Sequence, residues 1–151
     1  MMQVELFLTH AIQLEREAAR RYEELAEAMS TEGNRELRSF FSRMAGFSRK
    51  HLGDAMARGG FRDLPQLKAE EYRWPDGTAP ETAGWEGVDA LMDPREALRL
   101  ALESERRGLA YYATIAATSP DPEVRALAAE FTAEEAAHVK ELERRLSVSA
   151  M

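Results

Sequence analysis

Apolar residues recur every three to four positions in four long segments of the chain, the spacing of an α-helix with one buried face. Three of these segments begin at residues that commonly cap a helix N-terminus, Asn34, Asp93 and Asp121, and each aspartate is followed by a proline. The pattern predicts an all-α protein with helices at about 4–29, 34–58, 93–118 and 121–146. These helices form two predicted hairpins, at about 4–58 and 93–147.

The segment at residues 59–92 interrupts the helical pattern with prolines and glycines. A loop of this length is uncommon in a compact domain unless it has a task, and one such task is to cross the length of a helical bundle. A helix of about 25 residues is roughly 38 Å long, which this segment can span. Tyr72, Trp74 and Trp85 are predicted to anchor the crossover, and residues 1–151 are expected to form one domain.

The two predicted hairpins share an internal repeat. A shift of 90 residues aligns the first helix with the third, and a shift of 87 aligns the second with the fourth. A duplicated hairpin produces a bundle with pseudo-twofold symmetry, in which equivalent residues face each other. The pairs that the repeat aligns include Glu15 with Glu105, Tyr22 with Tyr112, and His51 with His138.

Three glutamates and two histidines lie near mid-helix on the apolar faces: Glu15, His51, Glu105, Glu135 and His138. Burial of an isolated carboxylate in a bundle core is unfavourable by several kcal/mol, so these groups need compensation. A divalent cation provides it, and oxygen and imidazole ligands without sulfur favour iron or manganese, with zinc possible. The Glu-x-x-His spacing of Glu135 and His138 places both side chains on one helix face.

Each of these residues also has a simpler interpretation. A single inward glutamate can pair with an arginine such as Arg20 or Arg106, and a single inward histidine is often a hydrogen-bonded core residue. The coincidence of five positions in two repeat copies favours a present or ancestral metal site. Tyr22 and Tyr112 are predicted to be core aromatics whose hydroxyls bond the carboxylates. His10 lies off the apolar face and is predicted at the surface.

The amino-acid composition and net charge argue against several classes of protein. Apolar residues make up 44% of the chain and charged residues 31%, which is typical neither of a disordered chain nor of a membrane protein. The net charge of −7 opposes binding to nucleic acid or to an anionic membrane surface. The N-terminal residues lack the basic flank and apolar stretch of a signal peptide, so we expect a cytoplasmic protein. The absence of cysteine excludes disulfides, thiolate zinc and iron–sulfur clusters.

Three stretches of the sequence resemble the ferritin-like, rubrerythrin-type diiron proteins: Leu14 to Tyr22, Glu105 to Tyr112, and Ala133 to His138. The resemblance covers the four predicted helices and implies a ferritin-like antiparallel four-helix bundle, with two hairpins joined by the long crossover. It also implies a homodimer and two irons that react with dioxygen or peroxide. By this resemblance the terminal carboxylates are Glu15 and Glu105, the bridging carboxylate is Glu135, and the imidazoles that each bind one metal are His51 and His138.

The sequence departs from this family's pattern at Ser48, which stands where a second bridging glutamate belongs. The loss leaves each metal with at most three protein ligands if Glu135 bridges. It therefore predicts weakened or asymmetric metal binding, down to one metal or none. The cations Arg49 and Lys50 follow directly but are predicted to point outward. The absence of cysteine also removes the rubredoxin segment that many rubrerythrins carry, so we expect a separate electron donor.

Three functions stay open for such a chain. The first is an oxidoreductase or iron-handling protein that reduces peroxide or oxidises ferrous iron. The second is a non-catalytic bundle whose site has decayed and which serves in interaction or assembly, an interpretation that Ser48 favours. The third is a mononuclear site in which Glu135 and the two imidazoles hold one metal. In each case Tyr22, Tyr112 and Ser48 are expected beside the metal-binding residues.

Overall fold

Four α-helices make up most of the described chain. The structure, a computed structural model, describes residues 3–60, 63–74 and 93–149. The helices are α1 (Val4–Glu32), α2 (Arg35–Arg58), α3 (Pro94–Thr118) and α4 (Pro122–Ser149), with a short 3-10 helix at Ala69–Glu71. No β-strand occurs in these described residues, and the predicted all-α fold is confirmed. Within the same residues, no helix has both the length and the apolar character needed to cross a membrane.

Helix α1 continues beyond its predicted end at Met29. Gly33, with φ = 80°, takes the left-handed conformation that ends the helix, and glycine adopts this conformation without steric cost. The N–H groups of Gly33 and Asn34 then donate to the carbonyls of Ser30 (3.1 Å) and Met29 (2.9 Å). The turn is shorter than predicted because the helix extends to the first residue that tolerates the left-handed conformation.

The starts of the other three helices follow the predicted caps. The side chains of Asn34, Asp93 and Asp121 each accept backbone N–H groups from the first turn of the helix that follows, at 2.8 to 3.3 Å. These bonds satisfy donors that no helical carbonyl can reach. At the opposite end, α4 runs to Ser149, slightly past the predicted end near Leu146.

The bundle core consists of two apolar layers separated by a polar layer. Helix α1 packs along α2 and α3 packs along α4, which forms the two predicted hairpins. One apolar layer includes Phe41 and Met44, and the other includes Phe7 and Phe131. The buried polar side chains between them lie near the middle of the helices: Glu15, Ser48, Ser104, Glu105, Glu135 and His138. The fold therefore shields carboxylates and imidazoles from water on two sides.

The described part of the crossover packs across the bundle. The ring of Trp74 contacts the rings of His10 (4.8 Å between centroids) and Tyr111 (5.3 Å). Tyr72 stacks on Trp74, with centroids 5.6 Å apart. The anchoring predicted for Tyr72 and Trp74 is confirmed, whereas the anchoring predicted for Trp85 lies outside the described residues.

His10 is fully buried, so the prediction of a surface position is wrong. Its Nε2 accepts the backbone N–H of Arg73 (3.0 Å), and its Nδ1 donates to the carbonyl oxygen of Leu6 (2.9 Å). The face of α1 that carries His10 is covered by the crossover rather than by another helix. A pattern based on helix packing alone assigns that face to solvent.

Candidate metal centre

The polar layer brings together all five residues that the sequence singles out. Glu15, Glu105, Glu135 and His138 are buried, and His51 is mostly buried, with 12% of its side chain exposed. Every helix contributes at least one of them, because the heptad-like spacing that turns apolar residues inward also turns these residues inward. Three carboxylates and two imidazoles therefore meet in one layer.

One compact group in this layer is formed by His51, Glu135 and His138. One nitrogen or oxygen atom from each residue lies within 4.8 Å of the other two. The imidazole rings of the two histidines are nearly parallel, with centroids 4.9 Å apart and an interplanar angle of 11°. Metal bonds to such atoms are about 2.0–2.2 Å long, so the group is small enough to surround one cation after modest side-chain rotation.

The two outer carboxylates lie beside the imidazoles. Glu15 Oε2 is 3.9 Å from His51 Nδ1, and Glu105 Oε2 is 3.4 Å from His138 Nδ1. None of these four atoms has a hydrogen-bond partner among the described residues, although buried polar atoms are nearly always paired. Oxygen and nitrogen atoms of this kind, converging in a buried layer, fit a bound metal ion.

Two tyrosines hold the outer carboxylates in a reciprocal arrangement. Tyr22 on α1 donates to Glu105 Oε1 on α3 (2.6 Å), and Tyr112 on α3 donates to Glu15 Oε1 on α1 (3.4 Å). Both tyrosine rings are fully buried. The predicted bonds between tyrosine hydroxyls and carboxylates are confirmed, and their reciprocity follows from the internal repeat.

The arginines considered as partners of the inward glutamates lie elsewhere. Arg20 pairs with Glu17 and Glu24, and Arg106 pairs with Glu143. Both guanidinium groups are well exposed to solvent. Neither arginine therefore compensates the carboxylates of the polar layer.

Several groups of the polar layer have pKa values shifted from their ordinary values. Burial, followed by repulsion from Glu105, raises the pKa of Glu15 above its ordinary value. Burial opposes ionisation of Glu105 as well, but contacts with Glu135 and His138 outweigh it and hold the pKa of Glu105 below its ordinary value. Burial and the adjacent His138 lower the pKa of His51 to about 4, so this imidazole is neutral at neutral pH. Neutral imidazole is the form that binds metals, and a cation entering the layer would displace protons.

Ser48 lies in the same layer, on the face of α2 that carries His51. Its side chain is buried, and its Oγ has no hydrogen-bond partner among the residues that the structure describes. Arg49 and Lys50 are exposed, as predicted, and Arg49 pairs with Glu23 on α1. The position that would hold a second bridging carboxylate therefore offers only a hydroxyl group.

Comparisons with known proteins agree with this architecture. A sequence model of the family described as Rubrerythrin matches residues 7–58, which correspond to the first hairpin. A second match is the crystal structure of an uncharacterized conserved protein from Magnetospirillum magnetotacticum MS-1, whose sequence is 42% identical to that of this chain. That match covers 97% of this chain and 95% of the other, with a TM-score of 0.80. The chain belongs to the rubrerythrin family. No curated protein matches it.

Two residues of this rubrerythrin-family chain contact the imidazoles and were not predicted from the sequence. Glu134 Oε2 is 3.5 Å from His51 Nε2, and the ring of Phe47 stacks on that of His138, with centroids 5.9 Å apart. Both are partly exposed, at 27% for the Glu134 side chain and 41% for Phe47. The sequence does contain a signal for them, because the shift of 87 residues that aligns the two histidines also aligns Phe47 with Glu134.

Proposed function

We propose that this protein binds iron in the polar layer and that the bound iron reacts with peroxide or dioxygen. The observation that carries the proposal is the convergence of buried carboxylate oxygens and imidazole nitrogens from all four helices. Several of these atoms have no hydrogen-bond partner among the described residues. The match to the rubrerythrin family supports iron as the metal.

The residues that would hold the metal are Glu15, His51, Glu105, Glu135 and His138. Oxygen and imidazole ligands without sulfur suit iron or manganese. Bound iron would polarise peroxide as a Lewis acid and supply the electrons for its reduction. The carboxylates would balance the additional positive charge of an oxidised metal.

The chain's own residues prepare this centre. Tyr22 and Tyr112 fix the orientation of the outer carboxylates by hydrogen bonds. The apolar layers on both sides exclude water. Burial raises the pKa of Glu15 in the metal-free protein, so its carboxyl group would release a proton when it binds the metal.

A centre with one metal is a second candidate, and two observations favour it. His51, Glu135 and His138 form a compact set of two imidazoles and one carboxylate, a known arrangement for a single ferrous ion. Ser48 provides no carboxylate where a second metal would need one. In this arrangement Glu15 and Glu105 would balance charge around the single ion.

Iron content per chain tests the proposal directly. The protein is loaded anaerobically with ferrous iron and analysed for metal, and peroxide is then added while the near-ultraviolet absorption of oxo-bridged iron is recorded. Two irons with this absorption would support the dinuclear centre, and one iron without it would support the mononuclear centre. A folded protein that retains no iron would refute the proposal and favour a non-catalytic bundle with a role in interaction or assembly.

The variants Glu105→Gln and Glu103→Gln form a matched pair for this experiment. Glu105 is buried in the polar layer, whereas Glu103, two residues earlier on α3, is 70% exposed and pairs with Arg107. We expect Glu105→Gln to reduce the iron content and Glu103→Gln to leave it unchanged. Equal iron contents in the two variants would contradict the position of the centre.

A separate electron donor and a homodimer complete the proposal. The 151 residues contain no cysteine that would hold a rubredoxin-type iron, so electrons would come from another protein. The family resemblance is the basis for the dimer. Light scattering of the purified protein measures its mass against the 17.0 kDa of one chain.

A further inference from the structure

The two imidazoles of the polar layer have different outer neighbours at symmetry-related positions. The internal repeat aligns Phe47 with Glu134 and His51 with His138. The contact of Glu134 on α4 with His51 on α2 is therefore the symmetry equivalent of the contact of Phe47 on α2 with His138 on α4. One imidazole has a carboxylate at its outer edge, and the other has an apolar ring over its face.

The geometry at His51 separates its two ring nitrogens. Nε2 lies 3.5 Å from Oε2 of Glu134, a partly exposed side chain. Nδ1 faces inward, is buried, and has no hydrogen-bond partner within the described part of the chain. The Glu134 side chain is 27% exposed, so it has the freedom to rotate and shorten its distance to Nε2.

We propose that Glu134 is a positioning residue that accepts the Nε2 hydrogen of His51 and so presents the Nδ1 lone pair to the metal. The inference rests on the proposed function, because it concerns how one ligand is oriented. A carboxylate behind a ligating imidazole fixes the ring's tautomer and orientation and increases its basicity as a ligand.

This role would offset the missing carboxylate at Ser48. The repeat aligns Phe47 with Glu134 and Ser48 with Glu135, so α4 carries two acidic residues at the positions where α2 carries none. His51 is the ligand that α2 retains. By accepting the Nε2 hydrogen of His51, the carboxylate of Glu134 on α4 would supply negative charge to the half of the centre where α2 has Ser48 in place of a glutamate.

The first test measures the tautomer of His51 in the metal-free protein. Long-range proton–nitrogen NMR distinguishes the two tautomers, and the chain has only three histidines to resolve. We expect the Nε2–H tautomer to predominate in the unaltered protein and the Nδ1–H tautomer to gain population in Glu134→Leu, with Glu134→Gln intermediate. An unchanged tautomer in Glu134→Leu would overturn the proposal.

The second test measures cobalt(II) affinity, using cobalt absorption as a probe that does not depend on turnover. Removal of an outer-shell partner typically weakens metal binding roughly 10- to 100-fold, which is the loss we expect for Glu134→Leu. The matched control is Glu130→Gln, since Glu130 lies one turn earlier on α4 and pairs with Arg58 at 2.6 Å. It should bind cobalt(II) with unchanged affinity.

The two proposals fail in different ways. If the unaltered protein does not bind cobalt(II) or iron(II), the proposed function is refuted. If it binds cobalt(II) and Glu134→Leu binds with the same affinity, the role of Glu134 is refuted while the metal centre stands. Equal losses in Glu134→Leu and Glu130→Gln would also overturn the proposal, because they would indicate a general effect of surface charge.

Discussion

Replacing Tyr22 by phenylalanine would remove one hydroxyl from the polar layer and keep the aromatic ring. That hydroxyl donates to Glu105 Oε1 at 2.6 Å, and both residues are only 1% exposed. The pKa of Glu105 is below its ordinary value because its contacts with Glu135 and His138 outweigh burial, so the carboxylate is ionised at neutral pH. A hydrogen bond to a charged group contributes about 1.5–3 kcal/mol. We expect the free energy of unfolding of the metal-free protein to fall by that amount.

Tyr112→Phe is the matched control, because the repeat makes Tyr112 the equivalent of Tyr22. Its hydroxyl is also fully buried, but it donates to Glu15 over 3.4 Å. Burial, followed by repulsion from Glu105, raises the pKa of Glu15, so its carboxyl group is largely neutral. A bond between neutral groups contributes about 0.5–1.5 kcal/mol, and this long bond belongs at the lower end of that range.

Urea denaturation of both metal-free variants at neutral pH measures the difference. Thermal denaturation provides a second measurement. For a chain of this size the melting temperature falls by about 2–4 °C per kcal/mol, so Tyr22→Phe should melt roughly 3–12 °C below the unaltered protein. The pKa of Glu105 is lower in the folded than in the unfolded state, so its contribution is present above the unfolded pKa and is lost as the pH falls through the folded pKa. The effect of Tyr22→Phe should shrink accordingly in acid. Equal destabilisation by the two variants would refute this reasoning.

Three further predictions concern other residues. Burial lowers the pKa of His10, so its contribution to stability is complete above the ordinary pKa of 6.5 and is lost as the pH falls below that value. His10→Asn should therefore flatten the pH dependence of the unfolding free energy below pH 6.5. Urea titrations at a series of pH values measure this dependence. Ser48→Glu restores the missing carboxylate and should raise the iron content per chain in elemental analysis; an unchanged content would contradict either the placement of Ser48 at the bridging position or the metal centre itself. Phe47→Glu places a carboxylate beside His138 and should tighten cobalt(II) binding by roughly tenfold in competition titrations.

The helices and the inward residues were predictable because both depend on local spacing. A period of three to four residues places Glu15 and Glu105 on buried faces whatever the details of packing. Asp93 and Asp121 mark helix starts because their side chains accept backbone N–H groups of the next turn. The end of α1 was less predictable, since residues compatible with a helix continue until Gly33.

The outer contacts of the site were not predictable from helix patterns alone. His10 is buried because the crossover passes over it, and the course of an irregular segment leaves no periodic signal in the sequence. The contacts of Glu134 with His51 and of Phe47 with His138 depend on the approach of α2 to α4, which helical periodicity does not specify. The internal repeat relates the two contacts to each other but does not determine the distance between those helices.

Anomalous diffraction at the iron edge, from crystals of the iron-loaded protein, tests the presence and position of the metal centre most directly. We expect an anomalous peak in the polar layer, bounded by His51, Glu135 and His138. A second peak nearby would indicate a dinuclear centre. Iron bound only elsewhere on the protein, with no peak among these side chains, would contradict the assignment of the centre.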